Sequence, residues 1–179
     1  RRGNFRRPRC GCGRRRLGGI GEARQAPVVS AGFGRSGQIV GRLLVAQGVR
    51  VTVLAHDADM IEAARSFGYK VFYGDATRLD LLRTAGAQTA KVLVIAVDDT
   101  GQSLAIVDLA REHFPHLTLV ARARDVTHWN ELRDRGVMRV ERELFESSLR
   151  SGRTVLEVLG FAAHEARAQA MRFRRHNLQ

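Results

Sequence analysis

The sequence predicts an α/β fold built on a doubly wound parallel sheet, with a helical extension at the C-terminal end. Two observations lead to this prediction. From Pro27 onward, short β-branched apolar runs alternate with longer segments of helical period, which is the pattern of βαβ units around a parallel sheet. A glycine-rich turn directly follows the first apolar run. Because βαβ crossovers are right-handed, the strands are expected to form a doubly wound sheet.

The individual elements are predicted from apolar periodicity and from the residues that interrupt it. Strands are expected at residues 28–31, 51–54, 71–73, 92–97 and 117–121, with a short sixth strand at 137–140. Helices are expected at residues 36–47, 59–67, 79–84, 102–113, 126–135 and 144–159. The first helix repeats apolar residues at Ile39, Val40, Leu43 and Leu44.

Two helical segments near the C-terminus, at residues 153–159 and 165–173, carry apolar residues that a single sheet does not fully cover. They suit either a dimer interface or packing against their own domain. The chain is therefore divided into an Arg/Gly-rich tail at 1–26, a nucleotide-binding domain at 27–142 and a helical extension at 143–179.

The basic charge is concentrated in the tail. The whole chain has a net charge of +12, and residues 1–26 hold nine Arg and one Glu, which gives 9 − 1 = +8 and leaves 12 − 8 = +4 for the remainder. The tail has no helical or strand period, so we expect it to be disordered. A solvated linker is favoured over an arm that binds phosphates or a membrane surface. The charge distribution disfavours nucleic acid as a partner of the domain.

The composition excludes several classes of site. Cys10 and Cys12 are the only cysteines, which is too few ligands for a closed zinc site, so no metal is expected. The cysteine content suits a reducing cytoplasm. No apolar run approaches the roughly 20 residues that span a bilayer, and no apolar segment follows the N-terminal arginines as in a signal peptide. We therefore expect this chain to be soluble.

The glycine-rich turn has the pattern Gly-x-Gly-x-x-Gly between the first predicted strand and the first helix. In such a motif Gly32 permits a tight turn, Gly34 lets the backbone approach a phosphate, and Gly37 lets the helix lie close to the strand. The free N–H groups of the helix N-terminus then face the anion. The position of the motif in a βαβ unit predicts a Rossmann-like nucleotide site.

Polar residues at the other strand ends complete this site. Ala55 stands where a ribose-binding carboxylate is expected, and Asp57 either reaches the ribose or caps the following helix. Asp75 either faces an adenine edge or caps its helix. Asp98 and Asp99 follow the fourth strand and Arg122 and Arg124 follow the fifth, where an arginine can clamp a phosphate or carboxylate. The predicted cofactor contacts are Gly32, Phe33, Gly34, Arg35, Gly37, His56, Asp57, Asp75, Ala76, Asp98 and Arg122.

Five segments resemble one family when they are taken together. They are AGFGRSGQIVGRLL, FGYKVFYGDATRLDLL, EHFPHL, ARARDV and FRRHN. Residues 27–179 resemble the cytoplasmic regulatory domain, of the RCK, KTN or TrkA-N type, of glutathione-gated potassium-efflux antiporters. The GFGRxGQ and GDAT motifs indicate only the wider class of potassium-regulating domains, and the last three segments are more specific.

The resemblance implies a homodimer below a membrane potassium/proton antiporter domain, at the cytoplasmic face of the inner membrane. It implies an adenine nucleotide, AMP or NAD(H), in each subunit and glutathione or its adducts between subunits. Reduced glutathione would hold the transporter shut, and bulky adducts would open it. A flavin-containing, quinone-reductase-like ancillary subunit is a further partner of the family type.

Carried over by position, the glutathione contacts are Arg42, Phe67, Arg142 and Asn177. Arginines suit the two carboxylates of this tripeptide and an asparagine suits its amides. Phe67 would be the aromatic ring that a bulky adduct displaces. Without the resemblance these residues would be interpreted as solvated helix faces and an ordinary aromatic contact.

Ala55 departs from the family pattern, which places an aspartate there in an Asp-His-Asp run. We therefore expect weaker nucleotide binding than an Ala55→Asp variant would have. The alternative class is a stand-alone NAD(P)-binding oxidoreductase. It is disfavoured because the sequence contains no substrate domain and no Tyr-x-x-x-Lys pair, and because His56, His113, His116 and His128 have no neighbouring nucleophile or metal ligand in the sequence. No catalytic residue is assigned.

Overall fold

The computed structural model describes residues 26–177, so the predicted tail, except for residue 26, lies outside the described residues. Six strands are present: β1 Val28–Ala31, β2 Val51–Ala55, β3 Lys70–Tyr73, β4 Val92–Ile95, β5 Thr118–Ala123 and β6 Arg139–Arg142. Five helices alternate with them: α1 Arg35–Ala46, α2 Ala58–Ser66, α3 Leu79–Thr84, α4 Thr100–His113 and α5 Val126–Asp134. Two helices follow the last strand: α6 Phe145–Val158 and α7 Ala163–Asn177.

The strands form one sheet in the order β3-β2-β1-β4-β5-β6, and every pairing is parallel. Val28 pairs with Val51 on one side and with Val92 on the other. The strand order reverses between β1 and β4, which is the point where doubly wound sheets bind ligands. The predicted fold class is confirmed.

The sixth strand was predicted two residues too early. Val137 does not begin it, because its N–H donates to the carbonyl of Leu132 and so closes the end of α5 after Gly136, whose φ is +76°. Pairing with β5 begins at Arg139, which lies opposite Val120. The fourth strand also ends at Ile95 instead of at the predicted residue 97.

Alternate strand residues supply two cores, one on each face of the sheet, as the period of two in a strand requires. Val29 belongs to the core beneath α3, α4 and α5, whereas Val28 belongs to the core beneath α1 and α2. The strands that are buried on both faces read as continuous apolar runs in the sequence. This arrangement leaves the carboxyl ends of the strands open for a ligand.

Two apolar surfaces of the described chain lie outside these cores. In α1 only Gly37 and Gly41 are buried, while Ile39 and Leu43 are about two-thirds exposed. Helices α6 and α7 pack on each other; α6 has no buried residue and α7 only Ala166. The contact of α7 with the sheet includes the hydrogen bond from Arg142 of β6 to the backbone oxygen of Asn177. No helix between residues 26 and 177 has the length and apolar character needed to cross a bilayer.

Candidate functional site

A cavity of about 280 Å³ lies at the carboxyl edge of the sheet, where β1, β2, β3 and β4 end. Most of the predicted cofactor contacts line it: Gly32, Phe33, Gly34, His56, Asp57, Asp75, Ala76 and Asp98. Lining residues that the sequence prediction did not include are Leu54, Met60, Gly74, Ala96, Val97 and Gln102. The residues predicted from the strand ends thus include most of the carboxylates that line the cavity, whereas most of its apolar residues were not predicted.

The three motif glycines have different structural roles. Gly32 has φ +89°, and a Cβ there would lie 2.9 Å from the backbone carbon and oxygen of Ala96. A Cβ on Gly37 would lie 3.2 Å from the carbonyl oxygen of Gly32. Gly34 is less restricted, because its Cβ would come no closer than 3.7 Å to the carboxylate of Asp98. The fold therefore constrains Gly32 and Gly37, whereas Gly34 keeps the cavity open.

The N-terminus of α1 opens at this cavity. Gly34 is its N-cap residue and provides no side-chain cap, so the N–H groups of the first turn have no such partner. Backbone N–H groups and the positive end of a helix dipole together favour an anion at such a position. The backbone N–H groups at the start of α1 can therefore bind a phosphate, and no catalytic side chain is needed for this.

Asp57 and Asp75 are held by backbone N–H groups at the other wall. Asp57 accepts hydrogen bonds from the N–H of Asp59 at 2.8 Å and of Met60 at 3.3 Å, so it caps α2. Asp75 accepts from the N–H of Thr77 at 2.8 Å. This bond shapes the loop and does not cap α3, whose N-cap residue is Arg78. The same backbone hydrogen bond lowers the pKa of Asp75, which keeps its carboxylate charged in the cavity.

Ala55 leaves the end of β2 without a carboxylate. Its side chain lines the cavity and is 3% exposed, and its carbonyl accepts a hydrogen bond from the N–H of Gly74 at 3.0 Å. Asp57 and Asp75 remain as acceptors on the same cavity wall. A ribose bound here would find no side-chain acceptor at position 55.

Three predicted cofactor contacts do not line the cavity. Gly37 is a packing position, as described above. The side chain of Arg122 is 9% exposed; it donates to the carbonyl of Val97 at 3.0 Å and pairs with the carboxylate of Asp98. Arg35 is 91% exposed, and its guanidinium lies 3.6 Å from the carboxylate of Glu143. Arg122 therefore lies behind the cavity wall, and Arg35 lies beside it.

The four predicted glutathione contacts form two separate pairs. The guanidinium carbon of Arg42 lies 4.9 Å from the ring centroid of Phe67, which is 44% exposed. Arg142 donates to the backbone oxygen of Asn177 at 3.0 Å, and its guanidinium carbon lies 4.0 Å from the ring centroid of Phe145. Both arginines thus lie over an aromatic ring, Arg42 over Phe67 and Arg142 over Phe145, an arrangement that can hold a carboxylate next to an apolar substituent.

The described part of the chain, residues 26–177, contains no group of three His, Cys, Asp or Glu residues arranged for a metal ion; Cys10 and Cys12 lie outside it.

His128 is 3% exposed, and its Nδ1 accepts from the N–H of Arg124 at 3.2 Å. Burial lowers the pKa of His128. The histidine thus fixes the turn between β5 and α5.

Residues 28–142 match the TrkA-N domain, and residues 147–179 match the potassium efflux system KefB C-terminal domain. The chain belongs to the TrkA-N domain family. This finding confirms the resemblance inferred from the motifs.

Relatives with established names are potassium-efflux proteins. The glutathione-regulated potassium-efflux system protein KefC of Klebsiella pneumoniae (strain 342) is 56% identical over 155 residues, which are 87% of this chain and 25% of that protein. KefC of Escherichia coli O139:H28 has the same identity and coverage. The chain thus spans about a quarter of the length of these curated relatives. These names describe the relatives as proteins of a potassium-efflux system.

Solved structures are similar over the same region. The Kef CTD of Shewanella denitrificans in its AMP-bound form matches with a TM-score of 0.78 and 43% identity, covering 84% of this chain and 91% of that one. The TrkA-N domain of the inner membrane protein ybaL from Escherichia coli matches with a TM-score of 0.66 and 24% identity, covering 77% of this chain and 99% of that one. The second match supports the fold alone.

Proposed function

We propose that this chain is the ligand-sensing regulatory domain of a potassium-efflux system that exchanges potassium for protons. In this proposal residues 27–142 bind an adenine nucleotide, and residues 143–179 contribute to dimerisation and to a glutathione site. The observation that carries the proposal is the placement of the residues that the resemblance assigns to glutathione. Both arginine–aromatic pairs lie outside the cores of a domain that already has a nucleotide-type cavity at its switch point.

The nucleotide is proposed to bind with its phosphate at the N-terminus of α1 and its ribose towards Asp57. Asp75 and Ala76 would then face the base from the end of β3. AMP is the preferred candidate over NAD(H), because the second half of a dinucleotide would continue past the switch point. The paired side chains of Asp98 and Arg122 lie in that direction. The AMP-bound state named for the Shewanella relative supports the same choice.

Glutathione or an adduct of it is proposed to bind between two copies of the chain. Arg42 and Phe67 of one subunit and Arg142 and Asn177 of the other would supply two cations for the two carboxylates and an amide for the peptide. A bulky group on the sulfur would compete with Arg42 for the ring of Phe67. The exposed apolar residues of α1 and of the α6–α7 pair are the surfaces that would form the dimer.

The remaining parts of the proposal concern the intact system. The membrane antiporter domain would be the partner that the ligands control, and this domain would then lie at the cytoplasmic face of the inner membrane. Reduced glutathione would favour the closed transporter and a bulky adduct the open one. A flavin-containing, quinone-reductase-like ancillary subunit is proposed as an additional partner.

Titration calorimetry tests the ligand assignment. The chain is titrated with reduced glutathione and then with a bulky S-substituted adduct, and both titrations are repeated in Arg142→Ala and in Arg139→Ala. Arg139 is the matched control, since it lies on the same strand, is exposed and has no proposed ligand contact. We expect competition between the two ligands, loss of both in Arg142→Ala, and no change in Arg139→Ala. Absence of binding to a folded wild-type dimer would refute the glutathione assignment.

A further inference from the structure

A chain of four charged side chains connects the cavity to the segment that carries Arg142. Asp98 lines the cavity and pairs with Arg122. The Nη1 of Arg122 lies 3.2 Å from Oε1 of Glu143, and Nη2 of Arg35 lies 3.6 Å from the same oxygen. Glu143 is therefore shared between an arginine at the start of α1 and an arginine behind the cavity wall.

The charged groups that share Glu143 are partly buried, so the loss of one ion pair has an energetic cost. The side chain of Arg122 is only 9% exposed and that of Glu143 is 21% exposed. The Nη2 of Arg122 donates to the carbonyl of Val97 and pairs with Asp98, and its Nη1 lies within ion-pair distance of Glu143, so these two carboxylates compensate its charge. A buried charge that loses one partner must find another or destabilise its surroundings. Any new anion near Arg122 or Arg35 will therefore weaken their hold on Glu143.

Glu143 also fixes the beginning of the helical extension. It follows Arg142 directly, and its N–H donates to the carbonyl of Ala123 at 3.0 Å, which continues the pairing of β5 and β6 by one residue. Helix α6 begins two residues later, at Phe145, the ring over which Arg142 lies. A displacement of Glu143 would thus move Arg142 relative to α6.

We infer that Glu143 is a positioning residue that couples occupation of the nucleotide cavity to the affinity of the Arg142 site for its ligand. A phosphate at the N-terminus of α1 competes with Glu143 for Arg35 and, through the cavity wall, for Arg122. The strength of the ion pairs that Glu143 forms with Arg35 and Arg122 then sets the position of Arg142. The identity of the two ligands rests on the function proposed above, whereas the connection itself rests on the four side chains.

The coupling is measured by titrating reduced glutathione in the absence and presence of saturating AMP. The variants are Glu143→Gln, which removes the charge at nearly constant shape, and Glu141→Gln. Glu141 is the matched control, because it is exposed on the same strand and has no ion pair among the described residues. In the wild type and in Glu141→Gln, AMP is expected to change the glutathione Kd about fivefold or more. In Glu143→Gln the two Kd values are expected to be equal.

Hydrogen exchange of residues 142–149 supplies a readout that needs no glutathione. AMP is expected to change exchange in this segment of the wild type and of Glu141→Gln but not of Glu143→Gln. Coupling that persists in Glu143→Gln, or wild-type exchange that does not respond to bound AMP, overturns the inference; the second outcome decides even if Glu143→Gln does not fold. If glutathione fails to bind while the AMP response depends on Glu143, the glutathione assignment fails and the connection stands.

Discussion

The Gly32→Ala substitution tests whether the glycine turn is required by the fold itself. Gly32 has φ +89°, and a Cβ there would lie 2.9 Å from the backbone carbon and oxygen of Ala96 and 3.0 Å from the N of Val97. These backbone atoms have little room to move, since the N–H of Ala96 donates to the carbonyl of Ala31 at 2.8 Å next to the central strand pair. The added methyl group therefore meets rigid neighbours.

The expected loss of stability has two parts. A left-handed backbone conformation costs a residue other than glycine about 1–2 kcal/mol, and an overpacked contact costs about 1–3 kcal/mol more. The sum, about 2–5 kcal/mol, is a large share of the roughly 5–15 kcal/mol that stabilises a typical domain. It corresponds to a Tm that is lower by about 4–20 °C for a domain of this size.

Gly48→Ala is the matched control, because Gly48 has φ +73° but nothing within 4 Å of its added Cβ. It should show only the backbone part, about 1–2 kcal/mol. Urea unfolding of the wild type and both variants, followed by circular dichroism, gives the two differences in the free energy of unfolding. If Gly32→Ala destabilised the domain no more than Gly48→Ala does, the expected clash with Ala96 would be refuted.

Three further predictions concern the cavity and the buried histidine. Ala55→Asp is expected to tighten AMP binding by about 1–3 kcal/mol in titration calorimetry, because it adds an acceptor for the ribose hydroxyls; an equal gain for a 2′,3′-dideoxy analogue would contradict this explanation. Gly34→Ala should weaken AMP binding about tenfold, which corresponds to the loss of roughly one hydrogen bond to phosphate. The Tm should stay unchanged, and a lower Tm would show that Gly34 is required by the fold. Burial lowers the pKa of His128 below its ordinary 6.5, so the unfolded chain binds more protons as the pH falls. The free energy of unfolding should therefore decrease below about pH 6.5, and His128→Asn should flatten this slope in urea titrations; an unchanged slope would assign the pH dependence to other groups.

The sequence predicted the centre of the sheet well because β1, β2 and β4 are largely buried on both faces. Such strands appear as short apolar runs between glycines and polar turns, and the right-handed crossover rule then leaves few topologies. The exception is β6, where Val137 and Val140 suggested a strand at 137–140. Its true register is set by β5 and by the end of α5, which are tertiary constraints that a local pattern does not contain.

The cavity was predictable on its polar side for a similar reason. Parallel strands bring their carboxyl ends together, so residues that follow strands could be assigned to one site without knowledge of the packing. What the sequence left open was the role of each carboxylate, since an aspartate after a strand serves equally as a cap and as a ligand contact. The structure gives Asp57 the role of a cap and Asp75 that of a loop acceptor, yet both still line the cavity.

The ion pairs around Glu143 could not have been predicted. Arg35, Asp98, Arg122 and Glu143 are far apart in the sequence, and only the strand order β1-β4-β5-β6 brings them together. Charged residues with no local partner are usually solvated, so nothing in the pattern distinguished Glu143 from Glu141. The distinction appears only when the neighbouring strand is known.

The two ligand sites of the proposal differ in what one chain provides. The residues that line the proposed nucleotide cavity belong to a single chain, and backbone hydrogen bonds hold the carboxylates of Asp57 and Asp75 in place. The proposed glutathione contacts are divided between two pairs in one chain, and the cleft of about 940 Å³ that joins Ile39 of α1 to α6 and α7 is lined partly by exposed apolar residues. In the proposed dimer the second copy would cover such surfaces and complete the site in the same step. Glutathione binding would then be linked to association and would depend on protein concentration, whereas nucleotide binding would not.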